Sequence, residues 1–445
     1  MSAPQWTEAL AVSVTPLADG ASCADQDGDG ALHAVDCPGA PPEQLDCDDA
    51  DPAVNPSTER WVTPGPFVMG SNSEEAGADE GPLHVVTLSG YCLDRDEVTA
   101  GQFAAWLQQT NQRPRSADIR NVDAQGQVIS GREQHPVEGV TWEEAQSFCR
   151  AQGKELPTEA QWEKAARGGC ELGDDAQRCD PSDLRQFPWG SAAPDCQRAN
   201  HQRTTGGMPT LCTADTLPVG SLPAGHGPYG HRDLAGNVWE YVRDGYHPAV
   251  YTADGVREDP GGPEGAAYHV MRGGSWSTFS TNMRVANRHN ELVMGSATGF
   301  RCARYAATPN MDQTPALEVV TLSGVLSFGA GDNGQSKPLS GRALYVTAFD
   351  VADLDGGGMP IPGRSPAAEI RFSPTGELQA PFALPVPKGG TYVLQASLDD
   401  GSEDGPLPAS GSGGVGAIDA PVVADADREG LQITLRPLPV GGPRR

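Results

Sequence analysis

Residues 272–302 read RGGSWSTFSTNMRVANRHNELVMGSATGFRC, and this stretch decides the fold. Its two ends, RGGSW and GFRC, are patterns that identify one class of domain, and its middle contains no cysteine before Cys302. The same residues therefore indicate a fold and lack the thiols that a soft metal ion would need.

Length and composition limit the possibilities further. A chain of 445 residues predicts two or three domains, and 55 glycines with 39 prolines favour turns, loops and β-structure over long helices. The net charge of -28 argues against nucleic acid or an anionic membrane as partner, because binding phosphates needs a basic surface. An acidic surface attracts divalent cations, although simple solvation of an extracellular protein accounts for the charge equally well.

The cysteines point to an oxidising compartment. There are ten of them, an even number, and none forms a C-x-x-C pair, so disulfides are favoured over zinc. No apolar run is long enough for a membrane span. The N-terminal residues MSAPQWTEALAVSV do not resemble a signal peptide. We therefore expect a secreted or extracellular protein, at the cell surface or in the periplasm, whose leader has been removed. A cytosolic protein with ten thiols is the alternative.

Shifts in composition divide the chain into five parts. We predict an N-terminal segment over residues 1–22, an Asp-rich repeat over 23–60, a central domain over 61–305, a linker over 306–317 and a small all-β sandwich over 318–440. The central domain is predicted to be α+β and rich in loops, with helices over 100–109 and 141–152 and a third that starts at Thr158 with a capping box. Short alternating segments predict the strands of the sandwich: VVTLSGVLSF, ALYVTAFD, AEIRF, TYVLQASL and GLQITLRPL. Residues 401–416, rich in Gly and Ser, are predicted to form a mobile loop.

The Asp-rich repeat has the spacing of a calcium loop. Carboxylates alternate in DQDGDG at residues 25–30, and the final glycine permits a sharp turn round one hard cation. With the later DCDDADP, the pattern resembles the calcium-binding repeats of thrombospondin type 3 and related bacterial surface proteins. A solvated acidic linker is the alternative. The candidate ligands are Asp25, Asp27, Asp29, Asp36, Asp46, Asp48, Asp51 and Glu59.

The central block carries an ordered series of motifs. They are FVMGS (67–71), DEGPLHVV (79–86), EVT (97–99), HPV (135–137), VTWEEA (140–145), LPTEAQWE (156–163), RGG (167–169), FPWG (187–190), AN (199–200), GNVWE (236–240), RGGSW (272–276) and GFRC (299–302). This series resembles the formylglycine-generating enzyme, or sulfatase-modifying factor, family over about 240 residues. The resemblance implies a C-type-lectin-like fold with little regular secondary structure.

The same resemblance bears on activity. The family's enzymes oxidise a substrate cysteine with O2 and a copper ion held by two cysteines shortly after G-G-S-[WY], and those cysteines are missing here. Soft Cu(I) needs thiolates, which the hydroxyls of Thr278 and Ser280 cannot replace, and the thioether of Met283 alone would be a poor site. Trp239, Ser275 and Trp276 are expected to line the cleft. If the cleft is catalytic in another way, its candidate groups besides Ser275 and Trp239 are Arg284, Arg288 and His289. The run RVANRH that contains them is equally explained as a framework of salt bridges, which we favour.

The resemblance also implies calcium in the central domain. The segment DLAGNVWE matches the family's calcium loop, which assigns side-chain oxygens to Asp233 and Glu240 and backbone carbonyls to Gly236 and Val238. Alternating carboxylate and carbonyl oxygens suit Ca²⁺. A second site would start at Asn200 with the carbonyl of His201 and continue within residues 211–215. A capped turn is the alternative for residues 233–240.

Five disulfides are expected. The resemblance implies Cys149–Cys302, and the calcium repeat would enclose Cys37–Cys47. Proximity along the chain suggests Cys170–Cys179 and Cys196–Cys212, which leaves Cys23–Cys92 by elimination.

Two functions follow as hypotheses. The first is a secreted, calcium-stabilised binding protein of a cell surface or matrix, with a protein or glycan ligand and no copper-dependent oxidase chemistry. The second is an oxidoreductase of the same family with a non-standard active site. The ligand and the oligomeric state stay open, because function lives in the site and not in the fold.

Overall fold

A computed structural model describes most of the chain up to residue 305 and a set of strands after it. The described residues are 27–29, 31–33, 44–48, 50–73, 75–172, 185–248, 250–251, 257–263, 266, 268–290, 297–305, 319–328, 344–350, 368–372, 379–387, 391–398, 414–417, 422–423 and 428–437.

Three short helices form the α part of the central domain: α1 Ala100–Gln109, α2 Trp142–Ala151 and α3 Glu159–Arg167. A threonine caps each of them, and a Gln or Glu three residues later completes a capping box that satisfies backbone N–H groups left over at the helix start. All three predicted helices are therefore confirmed. None of the helices in the described part of the chain is long and apolar enough to cross a membrane.

The strands of the first 305 residues are short and belong to several small sheets. They are β1 Leu32–His33, β2 Leu45–Asp46, β3 Glu59–Val62, β4 Gly65–Met69, β5 His84–Leu88, β6 Tyr91–Asp94, β7 Gln202–Thr205, β8 Met208–Leu211, β9 Trp239–Gly245, β10 Arg257–Glu258, β11 His269–Arg272, β12 His289–Asn290, β13 Thr298–Phe300 and β14 Ala303–Tyr305. The sheet orders are β1-β2, β14-β6-β3, β10-β5-β4, β7-β8 and β12-β11-β9-β13. The predicted α+β, loop-rich character is confirmed for this part.

Aromatic side chains from the two ends of the central domain meet in its core. Phe103 of α1 and Phe148 of α2 are buried, and both rings contact Phe300 of β13, with centroids 6.3 and 5.4 Å from it. Burying each such ring contributes about 1.5–3 kcal/mol relative to leaving it exposed. The GFRC end of the quoted stretch thus anchors the first two helices.

Two of the predicted disulfides are present and two are wrong. Cys149 is bonded to Cys302 and Cys196 to Cys212, as expected. Cys47 is bonded to Cys92, so the expected pairs Cys37–Cys47 and Cys23–Cys92 are both incorrect. The reason is spatial: Cys92 lies opposite Trp61 in the β3–β6 pair, and Leu45 of β2 packs on the same cluster. Cys170 is also disulfide-bonded, while Cys23, Cys37 and Cys179 lie outside the described residues.

Eight strands follow in the C-terminal part. They are β15 Val319–Phe328, β16 Leu344–Asp350, β17 Ala368–Phe372, β18 Gln379–Pro387, β19 Thr391–Leu398, β20 Gly414–Ala417, β21 Val422–Val423 and β22 Arg428–Pro437. Their order is β17-β16-β19-β20-β22-β15-β18, with β21 beside β19.

Five of these strands were predicted. In β19, Tyr392, Leu394 and Ala396 are buried, which is the expected alternation of a half-buried strand. Residues 414–416 lie in β20 rather than in the predicted loop. The strands form one continuous hydrogen-bonded order, and a two-layered sandwich stays a prediction.

Candidate functional site

A double-glycine turn shapes the predicted cleft. The strand β11 ends at Arg272, and Gly273 and Gly274 follow with φ values of 91° and 75°. A Cβ at Gly274 would meet Met283 Cγ at 3.0 Å and Thr278 Oγ1 at 3.1 Å. Only glycine fits there, because it tolerates positive φ and has no Cβ. The turn therefore brings the side chains of Thr278 and Met283 together beside Gly274.

Of these two side chains, the hydroxyl of Thr278 is hydrogen-bonded to the backbone and the side chain of Met283 is packed in the core. Thr278 Oγ1 accepts a hydrogen bond from the backbone N–H of Ser275 at 2.8 Å and donates to its carbonyl oxygen at 3.1 Å. Met283 is wholly buried beside Phe187 and Ala199. A hydroxyl tied to the backbone and a packed thioether supply no thiolate to a soft metal ion.

Of the three residues predicted to line the cleft, one is exposed to solvent in part. Ser275 and Trp239 are both 0% exposed, and only Trp276 is partly exposed. The Ser275 hydroxyl lies 3.2 Å from that of Ser277, which is no general base and so does not activate it. The predicted cleft is therefore closed at Ser275 and Trp239, because both pack into the interior.

The indole of Trp239 packs against His289. Their ring centroids are 5.2 Å apart at 62°, and burial lowers the pKa of His289 to about 4. The imidazole is therefore neutral at pH 7, and its Nδ1 accepts from the backbone N–H of Asn290 at 2.9 Å. Trp239 Nε1 has no hydrogen-bond partner among the described residues.

The two candidate arginines, Arg284 and Arg288, form buried ion pairs. Arg284 donates to both oxygens of Glu80 at 2.6 Å, and Arg288 donates to both oxygens of Glu159 at 2.6 and 2.9 Å. All four residues are 3% exposed or less. These contacts agree with the interpretation of RVANRH as a framework of salt bridges. Neither guanidinium is available to a substrate.

One carboxyl group near Trp276 was not recognised from the sequence. The indole N–H of Trp276 donates to Glu138 Oε2 at 3.3 Å, while Glu138 Oε1 has no hydrogen-bond partner in the described part of the chain. Burial raises the pKa of Glu138 to about 7. Glu138 follows the HPV motif directly, and that position was the available signal.

The predicted calcium loop places acidic side chains together in the interior. Glu240 is buried and Asp233 is partly buried, and a third carboxylate, Glu97, accepts from the Val238 N–H at 3.2 Å and from Asn237 Nδ2 at 2.6 Å. Burial, followed by the charges of Asp233 and Glu240, raises the pKa of Glu97 well above its usual value. The sequence analysis missed Glu97, although the EVT motif contains it.

The four residues assigned to this loop differ in what they contact. Asp233 accepts from the Gly220 N–H at 2.5 Å, and burial raises its pKa to about 6. Glu240 accepts from Arg301 at 2.6 and 2.7 Å and from Trp162 Nε1 at 2.8 Å. Gly236 has φ 80°, and a Cβ on it would lie 2.4 Å from the Asn200 carbonyl oxygen. The donor set, carboxylates with backbone carbonyls from Gly236 and Val238, suits a hard cation.

The second predicted calcium segment is also brought together. Asn200 Nδ2 donates to the Asp215 carbonyl oxygen at 2.9 Å, and Thr213 Oγ1 donates to Asn200 Oδ1 at 2.7 Å. The His201 carbonyl accepts from the Cys212 N–H at 2.9 Å. The segment 211–215 thus lies where the resemblance implies it, while the Asp215 carboxylate pairs with Arg132.

The Asp-rich repeat is only partly described. Asp25 and Asp36 lie outside the described residues, as does the side chain of Asp46 in β2. Asp29 Oδ1 accepts from the Ala31 N–H at 2.8 Å, and Asp29 Oδ2 is buried with no hydrogen-bond partner among the described residues. Near it in the chain, Asp27 Oδ1 accepts from the Asp29 N–H at 3.1 Å. This turn is compatible with a cation loop.

The later acidic residues of the repeat make contacts of their own. Asp51 Oδ1 accepts from the Ala53 N–H at 3.0 Å, and Asp48 lies 3.7 Å from Arg304. Glu59 is 2% exposed in β3 and pairs with Lys154 at 2.6 Å, so it belongs to the sheet of the central domain. Its role as a calcium ligand stays a prediction, and in this structure its carboxylate forms an ion pair with the ammonium group of Lys154. Glu59 also lies near Cys47 and Cys92, but their sulfurs form a disulfide and are not thiolate ligands.

Three comparisons with known proteins bear on this arrangement. Residues 48–306 match the model of the sulfatase-modifying factor enzyme 1-like domain. The chain is 35% identical over 257 residues to a protein named serine/threonine-protein kinase pkn1 of Chlamydia caviae, which covers 55% of this chain and 37% of that protein. It is 31% identical over 306 residues to the formylglycine-generating enzyme of Streptomyces coelicolor, which covers 57% of this chain and 92% of the enzyme.

A solved structure of PvdO from Pseudomonas aeruginosa is similar at 24% identity and a TM-score of 0.42, covering 56% of this chain and 94% of PvdO. The chain spans only a little over a third of the kinase-named protein and most of the Streptomyces enzyme.

Proposed function

Since the chain belongs to the sulfatase-modifying factor enzyme 1-like family through residues 48–306, we propose that it uses this scaffold for binding and not for copper-dependent oxidation. The proposed protein is secreted and stabilised by calcium, and it recognises a protein or glycan ligand at a cell surface or in a matrix. The kinase name of one relative is not carried over, because the match leaves most of that protein uncovered.

The observation that carries the proposal is the pair of side chains around Gly274. Thr278 and Met283 converge there, where neither can present a thiolate, and no cysteine occurs between Arg272 and Arg301. Formylglycine formation by the family's copper route needs two cysteines in this region. Ser275 alone has no base in contact with its hydroxyl.

Calcium is proposed from the interior carboxylates. The charges of Asp233 and Glu240 act on Glu97, and the guanidinium of Arg301 pairs with Glu240 at 2.6 Å. Collecting carboxylates away from water is unfavourable unless cations compensate them. A bound Ca²⁺ would supply charge and accept the backbone carbonyls of the loop as further ligands.

The alternative is an oxidoreductase, or another enzyme, with a non-standard site. One observation favours it: Glu138 has a pKa of about 7 beside the partly exposed Trp276, which suits a general acid or base. We prefer the binding function, because the other candidate groups, Arg284, Arg288 and His289, are buried in structural contacts.

Metal analysis of the purified protein separates the two. We expect near-stoichiometric calcium after dialysis against a calcium buffer, and neither copper nor iron after incubation with either ion followed by desalting. Copper or iron at one equivalent per chain would overturn the binding proposal.

A gain-of-ligand variant sharpens this test. Because Thr278 and Met283 reach the same point, the double substitution T278C/M283C should create a two-thiolate site that retains Cu(I) through desalting. The matched control S277C/S280C places two thiols in the same segment at positions that are not shown to converge. Copper retained by the unsubstituted protein would contradict the argument.

A further inference from the structure

We infer that a cavity of about 630 Å³ beside helix α1 is a binding site for a neutral saccharide. The cavity lies between the turn at residues 51–58, residues 94–99 after β6, one face of α1 and the end of α2. It contains none of Trp239, Ser275 and Trp276. Its volume falls within the range of ligand pockets, roughly 300–1,000 Å³. This inference rests on the proposed binding function and assigns it a place and a ligand chemistry.

Four amide groups belong to the polar lining of the cavity. Gln102 and Gln109 come from the exposed face of α1, while Gln134 and Gln152 come from the segment before HPV and from the end of α2. All four are exposed side chains, although the amide oxygen of Gln102 already accepts from the Thr99 N–H at 2.9 Å. An amide both donates and accepts hydrogen bonds, as a sugar hydroxyl does, so these groups match a polyhydroxylated ligand.

Most of the charged lining residues already form ion pairs with one another. Lys154 lies 2.6 Å from both Glu59 and Asp94. Arg95 pairs with Asp96 at 3.0 Å. An anionic ligand would have to displace one of these pairs and leave a carboxylate uncompensated, which costs free energy. Asp51 and Glu97 line the cavity outside these pairs, so the lining disfavours anions in particular. A neutral ligand can use the amides without disturbing the ion pairs.

Three backbone N–H groups beside the cavity are already hydrogen-bonded within the protein. The N–H groups of Asp94, Arg95 and Val98 donate to the carbonyl oxygens of Cys302, Thr58 and Phe300 at 2.8–2.9 Å. An extended peptide binds chiefly through unpaired backbone groups of a strand, and those N–H groups are already used. The contacts available to a ligand are therefore side-chain contacts, which favours a saccharide over a peptide.

A blocking substitution tests the site. Ala105 lies on α1 and lines the cavity, and the Ala105→Trp variant should fill it. The matched control is Ala151→Trp, at an exposed alanine of α2 outside the lining. Binding of glucose, galactose, N-acetylglucosamine and cellobiose to the full chain is measured by saturation-transfer NMR and titration calorimetry.

We expect at least one of these sugars to bind the unsubstituted protein and the Ala151→Trp control, and not Ala105→Trp. Gln109→Leu should weaken binding about fivefold to tenfold, the loss of one or two hydrogen bonds, whereas Gln108→Leu should not. Gln108 is the adjacent exposed amide, and it contacts Gln127 instead of the cavity.

Three outcomes would overturn the inference: no binding by any of the four sugars, binding that survives Ala105→Trp, or binding of neutral peptides in their place. None of these changes the metal content of the protein. Stoichiometric copper would defeat the proposed function even if sugars bound, so the two failures are distinguishable.

Discussion

At the scale of single residues, the central domain is organised by buried ion pairs. Arg288 donates to both oxygens of Glu159 and lies over Tyr251, with its Cζ 4.5 Å from the ring centroid. We expect Arg288→Met to destabilise the fold by about 3–5 kcal/mol, because it leaves a buried carboxylate without its closest cation. Urea unfolding gives the free energy directly.

The control for this prediction is an exposed ion pair. Arg150 lies 3.1 Å from Glu155 with 58% of its side chain exposed, and Arg150→Met should cost about 1 kcal/mol or less. Equal losses for the two variants would show that the framework interpretation of RVANRH is wrong.

Glu138 provides a prediction with a pH dependence. Burial raises its pKa in the folded protein to about 7 from an ordinary 4.5, so the folded state holds the proton more tightly than the unfolded state. The stability gained from this tighter proton binding is therefore fully present below about pH 4.5 and is lost as the pH rises through 7. Glu138→Gln, which mimics the protonated form, should match the unsubstituted protein near pH 4.5 and exceed it by up to about 3 kcal/mol at pH 8.

Denaturant titrations across this pH range measure the difference. The exposed neighbour Glu133 serves as the control, and Glu133→Gln should give no comparable trend. A constant difference between Glu138→Gln and the unsubstituted protein at all pH values would refute the assignment.

At the scale of elements, the capping threonines fix where the helices begin. Thr158 is 1% exposed, and its hydroxyl accepts from the Gln161 N–H at 3.2 Å. The helix that follows places Glu159 and Glu163 against the buried arginines. Thr158→Ala should cost about 1–2 kcal/mol in urea unfolding, and Thr158→Ser should recover most of it. Equal losses for Ala and Ser would show that the hydroxyl does not matter.

The elements also show how far local pattern reaches. The apolar pattern and the capping box at Thr158 predicted the three helices, and alternation predicted five of the C-terminal strands. The strand β18 was missed because its sequence, QAPFALPVP, contains three prolines, which remove donors from a ladder. Its place at the edge of the sheet, paired only with β15 in the main strand order, tolerates them. An edge position is a property of the whole sheet and leaves no local signal.

At the scale of the whole molecule, calcium is predicted to stabilise the fold. Removing it with EGTA should lower the melting temperature, because any ion that binds only the folded state adds free energy, about 2.7 kcal/mol at a hundredfold excess over Kd. Asp233→Ala should reduce the gain in melting temperature on adding back calcium, whereas Asp118→Ala, at an exposed aspartate, should not. An unchanged melting temperature with EGTA would show that the calcium assignments are wrong.

The sequence by itself determined the family, the helix starts and the absence of cysteines from residues 272–301, because each is written in contiguous motifs or in composition. Only the tertiary structure decided that Cys47 forms a disulfide with Cys92 and that Glu59 forms an ion pair with Lys154. The tertiary structure also decided that Glu97 feels the charge of Asp233, which lies 136 residues later in the sequence. These contacts join distant segments, and packing of β3 on β6 and of the loops on the core sets them. No local pattern encodes which distant group a buried charge or thiol will meet.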